Sequence, residues 1–394
     1  MAAYGSCRSI SIGVVGGGQL GAMLAQESRK AGMPLDFVFL DPVPGCPASG
    51  YGRQIVAGLY DVRAIEELGR QCGILTCEIE HVSAEGLRAA ERNGIPVYPS
   101  AETLKIIQDK GRQYELLKSS GLPVPDFRLP EKEEDLVTIG NDLGYPFMAK
   151  AATGGYDGRG NYTVKSDEDA RGAWRHFIGR GIVAQKWVPF EKEVSVIAAR
   201  DTTGNIASYP IRENHHKDGI LIESVAPARI NASVAKNAEY IGYAAARVFG
   251  DAGIICVEMF VLPDGQVYIN EIAPRVHNSG HDTMDSCKTS QFEQHLRAIT
   301  GMPLGSTEML YPAAVMHNIL GNPGYSGEYV MAIPDCLSEA GVRVHMYGKR
   351  EVRPGRKMGH LAVVGDNPEE LIKKSQEARR AIRFVPVGNG RHKI

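Results

Sequence analysis

The sequence predicts a mixed α/β and α+β protein: a doubly wound parallel sheet at the N-terminus, a larger α+β body and a small C-terminal α+β unit. Three observations predict it. Apolar strand-like runs alternate with helical patterns over roughly the first hundred residues, the order a parallel sheet requires. At 394 residues the chain exceeds what one hydrophobic core organises. Further along, strand-like alternation becomes more frequent, as in Val194 to Ala199 and Val267 to Ile269.

In chain order, Ser9 to Val15 reads as a buried strand, followed by the glycine run Gly16-Gly17-Gly18-Gln19-Leu20-Gly21 and a helical pattern to about Lys30. Asp36 to Leu40 is a second strand ending at Asp41, and Gly73 to Thr76 a third. Gly94 to Ser100 reads as a short strand and exit turn. A continuous helix is predicted from Ala101 to Ser120, broken by Gly121-Leu122-Pro123-Val124-Pro125. After the second region, which runs to about Gly305, a strand over Val342 to Met346 and a helix over Pro368 to Arg380 belong to the last unit.

A formal net charge of −2 argues against nucleic acid or an anionic membrane as a bulk partner. No stretch reaches the ~18 apolar residues a membrane span needs. The seven cysteines are odd in number and scattered, without zinc-type spacing, which predicts reduced thiols in a cytoplasmic protein.

Gly16, Gly18 and Gly21 satisfy G-x-G-x-x-G between a strand and a helix, with Asp41 placed to serve a ribose. On this motif alone a nicotinamide or flavin enzyme stays open, as does a turn that binds nothing. A second feature begins at Lys150 and continues through Gly154, Gly155, Gly158 and Gly160. Such a loop can turn several N–H groups toward one phosphate while the lysine adds a point charge. No GK[ST] occurs, so it is not a Walker A loop.

A third feature is acidic. Glu258 sits inside the apolar run ICVEMFVL, and Val267 to Ile269 delivers Asn270-Glu271. Pro263-Asp264-Gly265 between them is a turn signal, so a hairpin is expected to bring Glu258 and Glu271 together. Two adjacent carboxylates repel unless a cation joins them, and Mg²⁺ prefers such ligands. Beside them lies Ala273-Pro274-Arg275-Val276-His277-Asn278-Ser279-Gly280-His281, suited to an anion. Lys349, Arg350, Arg353, Arg356 and Lys357 form a basic patch around a Pro-Gly turn, suited to a phosphate or to plain solvation.

With these residues in view, the chain resembles the ATP-grasp superfamily and, within it, the N5-carboxyaminoimidazole ribonucleotide synthases of purine biosynthesis. The marks are GGGQLG at 16–21, EIEHV at 78–82, GGYDGRG at 154–160, ENHHKDGI at 213–220, NEIAPRVHNSGH at 270–281, TSQFEQHLRAI at 289–299 and RPGRKMGH at 353–360. The resemblance implies a pre-ATP-grasp domain at 1–103, an ATP-grasp domain at 104–305 with a lid at about 125–190, and a C-terminal domain at 306–394. It implies ATP bound by Lys110, Lys150, the 154–160 loop (Gly155, Tyr156, Asp157, Gly158, Gly160), Gln185, Lys186, Trp187, Val188, Glu193, His216, Asn270 and Glu271. Glu258 and Glu271 match Mg²⁺ ligands. For the ribonucleotide it points to Gln19, Leu20, Glu78, Tyr156, Asp157, Arg275, His277, Asn278, Ser279, Lys349, Arg356 and Lys357. The first glycine motif would then face substrate rather than a dinucleotide. One position departs: the adenine-reading segment usually opens with Glu, and here it is Gln185.

The activity so implied is ATP-dependent carboxylation of aminoimidazole ribonucleotide by bicarbonate through carboxyphosphate, with Lys150 and Arg275 in catalytic roles and Asp157 or His277 as proton acceptor. A homodimer is implied, and the carboxylase domain fused in some eukaryotic relatives is expected on another protein. A formate-using ATP-grasp transformylase, a dehydrogenase and a non-catalytic nucleotide-binding regulator are the alternatives.

Overall fold

The computed structural model describes residues 9–155, 160–332 and 341–387. Near the N-terminus, β1 (Ile10–Val15), β2 (Leu35–Asp41), β3 (Arg53–Val56), β4 (Ile74–Cys77) and β5 (Val97–Tyr98) form a parallel sheet in the order β3-β2-β1-β4-β5. Chain order reverses at β1, so crossover helices cover both faces. On one face Val15, Leu40 and Leu75 meet Ile65, Leu68 and Leu87 from helices Val62–Gln71 and Ala84–Arg92. On the other, Ile12, Phe37 and Phe39 share a core with Phe292 and Leu296 of helix Gln291–Thr300. That second core joins the N-terminal sheet to the body.

The predicted helix over 101–120 is two helices, Ala101–Ile107 and Lys110–Ser119. Asp109 breaks it: its carboxylate accepts from Gly111 and Arg112 N–H as an N-cap. The Lys110 N–H donates to Ala152 O at 2.8 Å, which ties this new helix start to the strand carrying Lys150. β3 had no visible pattern in the sequence, because it is a short edge strand whose residues are only partly buried.

The body contains two further sheets. A four-stranded one, β6 (Phe127–Arg128), β7 (Phe147–Ala151), β8 (Asn161–Val164) and β9 (Ile182–Lys186), packs under helices Glu133–Leu143 and Asp167–His176. The large sheet collects β10 (Lys192–Arg200), β11 (Ile206–Ser208), β12 (Arg212–Lys217), β13 (Ile220–Ala226), β14 (Gly253–Val261), β15 (Val267–Ala273) and β16 (Ala313–Leu320). Helix Ala232–Phe249 buries Val234, Ala238 and Ile241 against β10, β14 and β15. Past β17 (Gly327–Ala332), the strands β18 (Val342–Met346) and β20 (Lys357–Gly365) continue this same sheet beyond β16; β19 (Glu351–Val352) and β21 (Arg383–Pro386) pair with β17 instead. The C-terminal segment therefore has its own core yet extends the central sheet. Among the described residues, no helix is long and apolar enough to cross a membrane.

Candidate active site

A cleft of about 1250 Å³ lies where the four-stranded sheet, the edge of the large sheet, the ends of β1 and β4, and the 349–357 turn converge. Its chemistry is set by the β14–β15 hairpin. The turn closes with Gly265 at φ +85°, and Leu262 N–H donates to Gln266 O. Glu258 then stands directly opposite Glu271. One step on, Met259 faces Ile269, so Asn270 is the extra residue of a β-bulge. Strict alternation would send Asn270 and Glu271 to opposite faces, whereas the bulge lets both line the cleft.

Each carboxylate already has a cationic neighbour. Glu271 meets Lys110 Nζ at 3.0 Å, and Glu258 meets His277 Nε2 at 3.0 Å. Burial would raise the Glu258 pKa, but the hydrogen bond and charge of His277, with His216 and Lys110, outweigh it and hold the carboxyl down to about 2. Burial likewise opposes a charged His277; Cys256 and Glu258 overcome it and lift the imidazole to about 10. Lys150, on β7, is buried and donates to Asn270 Oδ1 at 2.9 Å and to the Tyr114 hydroxyl at 3.3 Å. Burial, then the charge of Lys110, lowers its pKa to about 7 against the pull of Glu271 and Glu193. Glu193 pairs with His216 at 2.7 Å beside them.

The adenine-reading positions also line the cleft: Gln185, Trp187 and Val188, with Gly155 at the loop's base. Lys186 and Gly160 do not line it; the Lys186 side chain is exposed and its N–H donates to Asp126 O. Tyr156, Asp157 and Gly158 lie outside the described residues.

At the other end, Gln19, Leu20 and Glu78 approach Lys349, Arg356 and Lys357 across the cleft. Burial, then the Arg356 charge, brings Lys349 down to about 8, with Glu78 pulling the other way. Arg275 lines the wall between, its Nε on Glu80 at 2.8 Å and an Nη on Val276 O. A guanidinium has five N–H donors, so donors remain for an anion. Asn278 lines the same wall, and both polar atoms of its side chain are buried without a partner among the described residues. Ser279, expected at the substrate, is buried away from the cleft; its hydroxyl holds His277 Nδ1 at 2.9 Å and Ser195 at 2.8 Å.

The glycine loop departs from both of its ligand-binding readings. Gly18 and Gly21 N–H donate to the two oxygens of Glu78, and Gly17 N–H donates to Asp41 at 2.9 Å. A Cβ at Gly16 or Gly18 would stand 2.5 Å from the Glu78 side chain, so the glycines make room for that carboxylate. The loop's anion site is filled by the protein itself, which removes the dinucleotide reading. It also means that Gln19 and Leu20, rather than the glycine N–H groups, face the cleft. Glu80, His81 and Gln108 line it too and were missed, though Glu80 and His81 lie within EIEHV; His281 and Arg353, expected only as part of the polar run and the basic patch, line it as well.

The residues fit a divalent cation in one respect: two carboxylates and an amide oxygen converge on one hairpin, the hard oxygen donors Mg²⁺ takes. Among the described residues, no group of three or more His, Cys, Asp or Glu is arranged to hold a metal by itself.

Comparison with known proteins matches a ribonucleotide synthetase preATP-grasp domain at residues 10–108, an ATP-grasp domain at 115–292 and a phosphoribosylaminoimidazole carboxylase C-terminal domain at 314–374. The N5-carboxyaminoimidazole ribonucleotide synthase of Brucella melitensis is 38% identical, covering 89% of this chain and 95% of its own. The chain spans only 64% of the phosphoribosylaminoimidazole carboxylase of Vigna aconitifolia, at 39% identity over 91% of this chain. Among solved structures, the Thermotoga maritima N5-carboxyaminoimidazole ribonucleotide synthetase superposes with a TM-score of 0.86 at 39% identity, covering 95% of this chain and 99% of that one. An Aspergillus clavatus N5-carboxyaminoimidazole synthase in complex with ADP and 5-aminoimidazole ribonucleotide superposes at 0.84, with 30% identity over 95% and 99%. Identity at this level over nearly the full length of the Brucella protein, with all three domain types in order, places the chain in the N5-carboxyaminoimidazole ribonucleotide synthase family of ATP-grasp proteins.

Proposed function

We propose that the chain uses ATP to carboxylate 5-aminoimidazole ribonucleotide with bicarbonate, giving N5-carboxyaminoimidazole ribonucleotide, ADP and phosphate. The observation that carries this is the placement of Glu258 opposite Glu271 in one cleft with Lys110, Lys150 and Arg275. That set supplies ligands for a cation and charges for phosphates. It is the chemistry of the related synthases, and the Aspergillus relative holds ADP and 5-aminoimidazole ribonucleotide together.

Glu258 and Glu271 would hold Mg²⁺, which when bound neutralises phosphate charge. Lys110 and Lys150 bind ATP phosphates, with Glu193 and His216 at the ribose. The four-stranded sheet and the 154–160 loop serve as the lid that excludes water. Bicarbonate attacks the γ-phosphorus, ADP leaves, and carboxyphosphate forms against Arg275. Alignment and charge stabilisation are what this transfer needs from the protein. The amine then attacks the carboxyl carbon, or CO₂ released in the closed cleft, and phosphate departs. Its proton goes to Asp157; His277, held protonated beside Glu258, can take it only after giving up its own proton as that contact opens. Lys349, Arg356 and Lys357 take the ribonucleotide phosphate, and Asn278 its polar edge. The same reading expects a homodimer in the cytoplasm.

The test is ADP release with the ribonucleotide present while bicarbonate and formate are varied in turn. ADP formation that requires bicarbonate supports the reading. A requirement for formate, or no turnover with the amine, would sink it.

A further inference from the structure

The Tyr114 hydroxyl is fully buried and has three neighbours: Lys150 Nζ at 3.3 Å, the Asn270 backbone carbonyl at 2.9 Å and the Gln185 side-chain amide, placed with Oε1 at 2.8 Å. A phenol has one proton to give and two lone pairs to fill. The lysine amine donates in either protonation state, which uses one lone pair. The Asn270 carbonyl can only accept, and the bulge has moved it out of ladder register, so Tyr114's proton goes there. What remains for Gln185 is the second lone pair. The two ends of a carboxamide have the same shape, and the network decides which one meets a neighbour. Here the network calls for the NH₂ end to meet Tyr114, a half-turn of the amide from the placement with Oε1 there.

Gln185 is 3% exposed and lines the cleft opposite Met148 of β7. With its NH₂ turned inward, its carbonyl oxygen is the end left for a ligand. We propose that Tyr114 sets nucleobase selectivity: by donating to the Asn270 carbonyl it fixes the Gln185 amide with its oxygen toward the cleft, where it accepts from a 6-amino purine and turns away a 6-oxo purine. This rests on the nucleotide reading given above and names the residue that makes it specific. It also gives the Gln at 185 a physical meaning. A glutamate accepts through either oxygen and needs no orienting partner, whereas a glutamine reads the base correctly only when one end is held.

Tyr114→Phe removes the hydroxyl and frees the amide to present either end. The measurement is kcat/KM for ATP and for inosine triphosphate, which differs at the 6-position, in the complete reaction. Wild type is expected to prefer ATP by about tenfold or more, the effect of one well-made hydrogen bond. In Tyr114→Phe the preference should fall to within about threefold, because either amide end can then face the base. The double variant Tyr114→Phe/Gln185→Glu should regain the preference for ATP, which loss of packing alone would not produce. Gln185→Met, which has neither end, should lose the preference and provides the test if Tyr114→Phe does not fold. Retention of the wild-type ratio in Tyr114→Phe or Gln185→Met overturns the proposal, as does failure of the double variant to recover it. A wild-type protein that turns over both nucleotides equally overturns the proposal alone. One that uses neither overturns the nucleotide reading beneath it.

Discussion

The glycine loop at 16–21 and the hairpin at 258–271 border the same cleft, and they treat charge in opposite ways. The loop's N–H donors are closed by Glu78 and Asp41, buried or half-buried carboxylates of the same domain. Hydrogen bonds to a charged group of this kind contribute about 1.5–3 kcal/mol each, so they stay made. The hairpin's carboxylates are held by Lys110 and His277, long or rotatable side chains at the cleft wall. Glu271 is 48% exposed, and an ion pair there contributes about 1 kcal/mol or less. A ligand can therefore take over the hairpin's charges but not the loop's. In the proposed function phosphate chemistry therefore belongs at the second region, and the first is scaffolding that aims Gln19 and Leu20.

Substitutions sharpen this difference. Glu271→Gln should show the largest effect: turnover falls by more than about 100-fold while the melting temperature changes little, since an exposed pair is lost. Steady-state ADP release and a thermal melt check both halves, and near-normal turnover would remove the hairpin from the chemistry. Glu78→Gln should do the reverse. An amide has one acceptor oxygen, so one glycine N–H would face an NH₂ group inside the protein, destabilising the fold by about 1–3 kcal/mol. Denaturant unfolding measures it; an unchanged midpoint would mean that the loop does not depend on its internal anion.

An acid effect of about 3 kcal/mol at most is expected at His295, which bridges the two halves. Ile254 N–H donates to its Nδ1, so its Nε2–H donates to Thr76 Oγ1 at 3.0 Å, and burial lowers its pKa from 6.5 to about 4. The native state then binds fewer protons than the unfolded chain between those values. Stability is full above pH 6.5 and is lost as pH falls toward 4. Melts across that range should show His295→Gln less acid-sensitive than wild type, and parallel curves would contradict the assignment. The smallest effect is expected at Asp41→Asn: its amide oxygen can still accept from Gly17, and the Val43 N–H that loses the other oxygen is exposed and can turn to water. Unfolding should shift by less than about 1 kcal/mol, with ATP kinetics unaltered.

What is legible in the sequence is what repeats at short range. The strand–glycine–helix start, the hairpin turn at Pro263 to Gly265 and the nearness of Glu258 to Glu271 can all be read from spacing; their direct opposition comes from the bulge. Most of the described residues that the resemblance named for the cleft line it, Gly160, Lys186 and Ser279 being the exceptions. The bulge at Asn270 cannot be read, since period-2 alternation has no term for an inserted residue. Nor can the break at Asp109, where an N-cap and a bond from Lys110 to Ala152 override a helical pattern. Long-range electrostatics is the largest gap. That Glu78, 57 residues after Gly21, fills the glycine loop depends on β4 lying beside β1, which local pattern does not specify.

The most direct test follows the oxygen atoms. Bicarbonate labelled with ¹⁸O, ATP and the ribonucleotide are incubated with the enzyme, and the phosphate released is analysed by mass spectrometry. If bicarbonate attacks the γ-phosphorus, one labelled oxygen appears in each phosphate formed. Phosphate carrying no label beyond solvent exchange, with ADP still produced, would contradict the carboxyphosphate route assigned to this cleft.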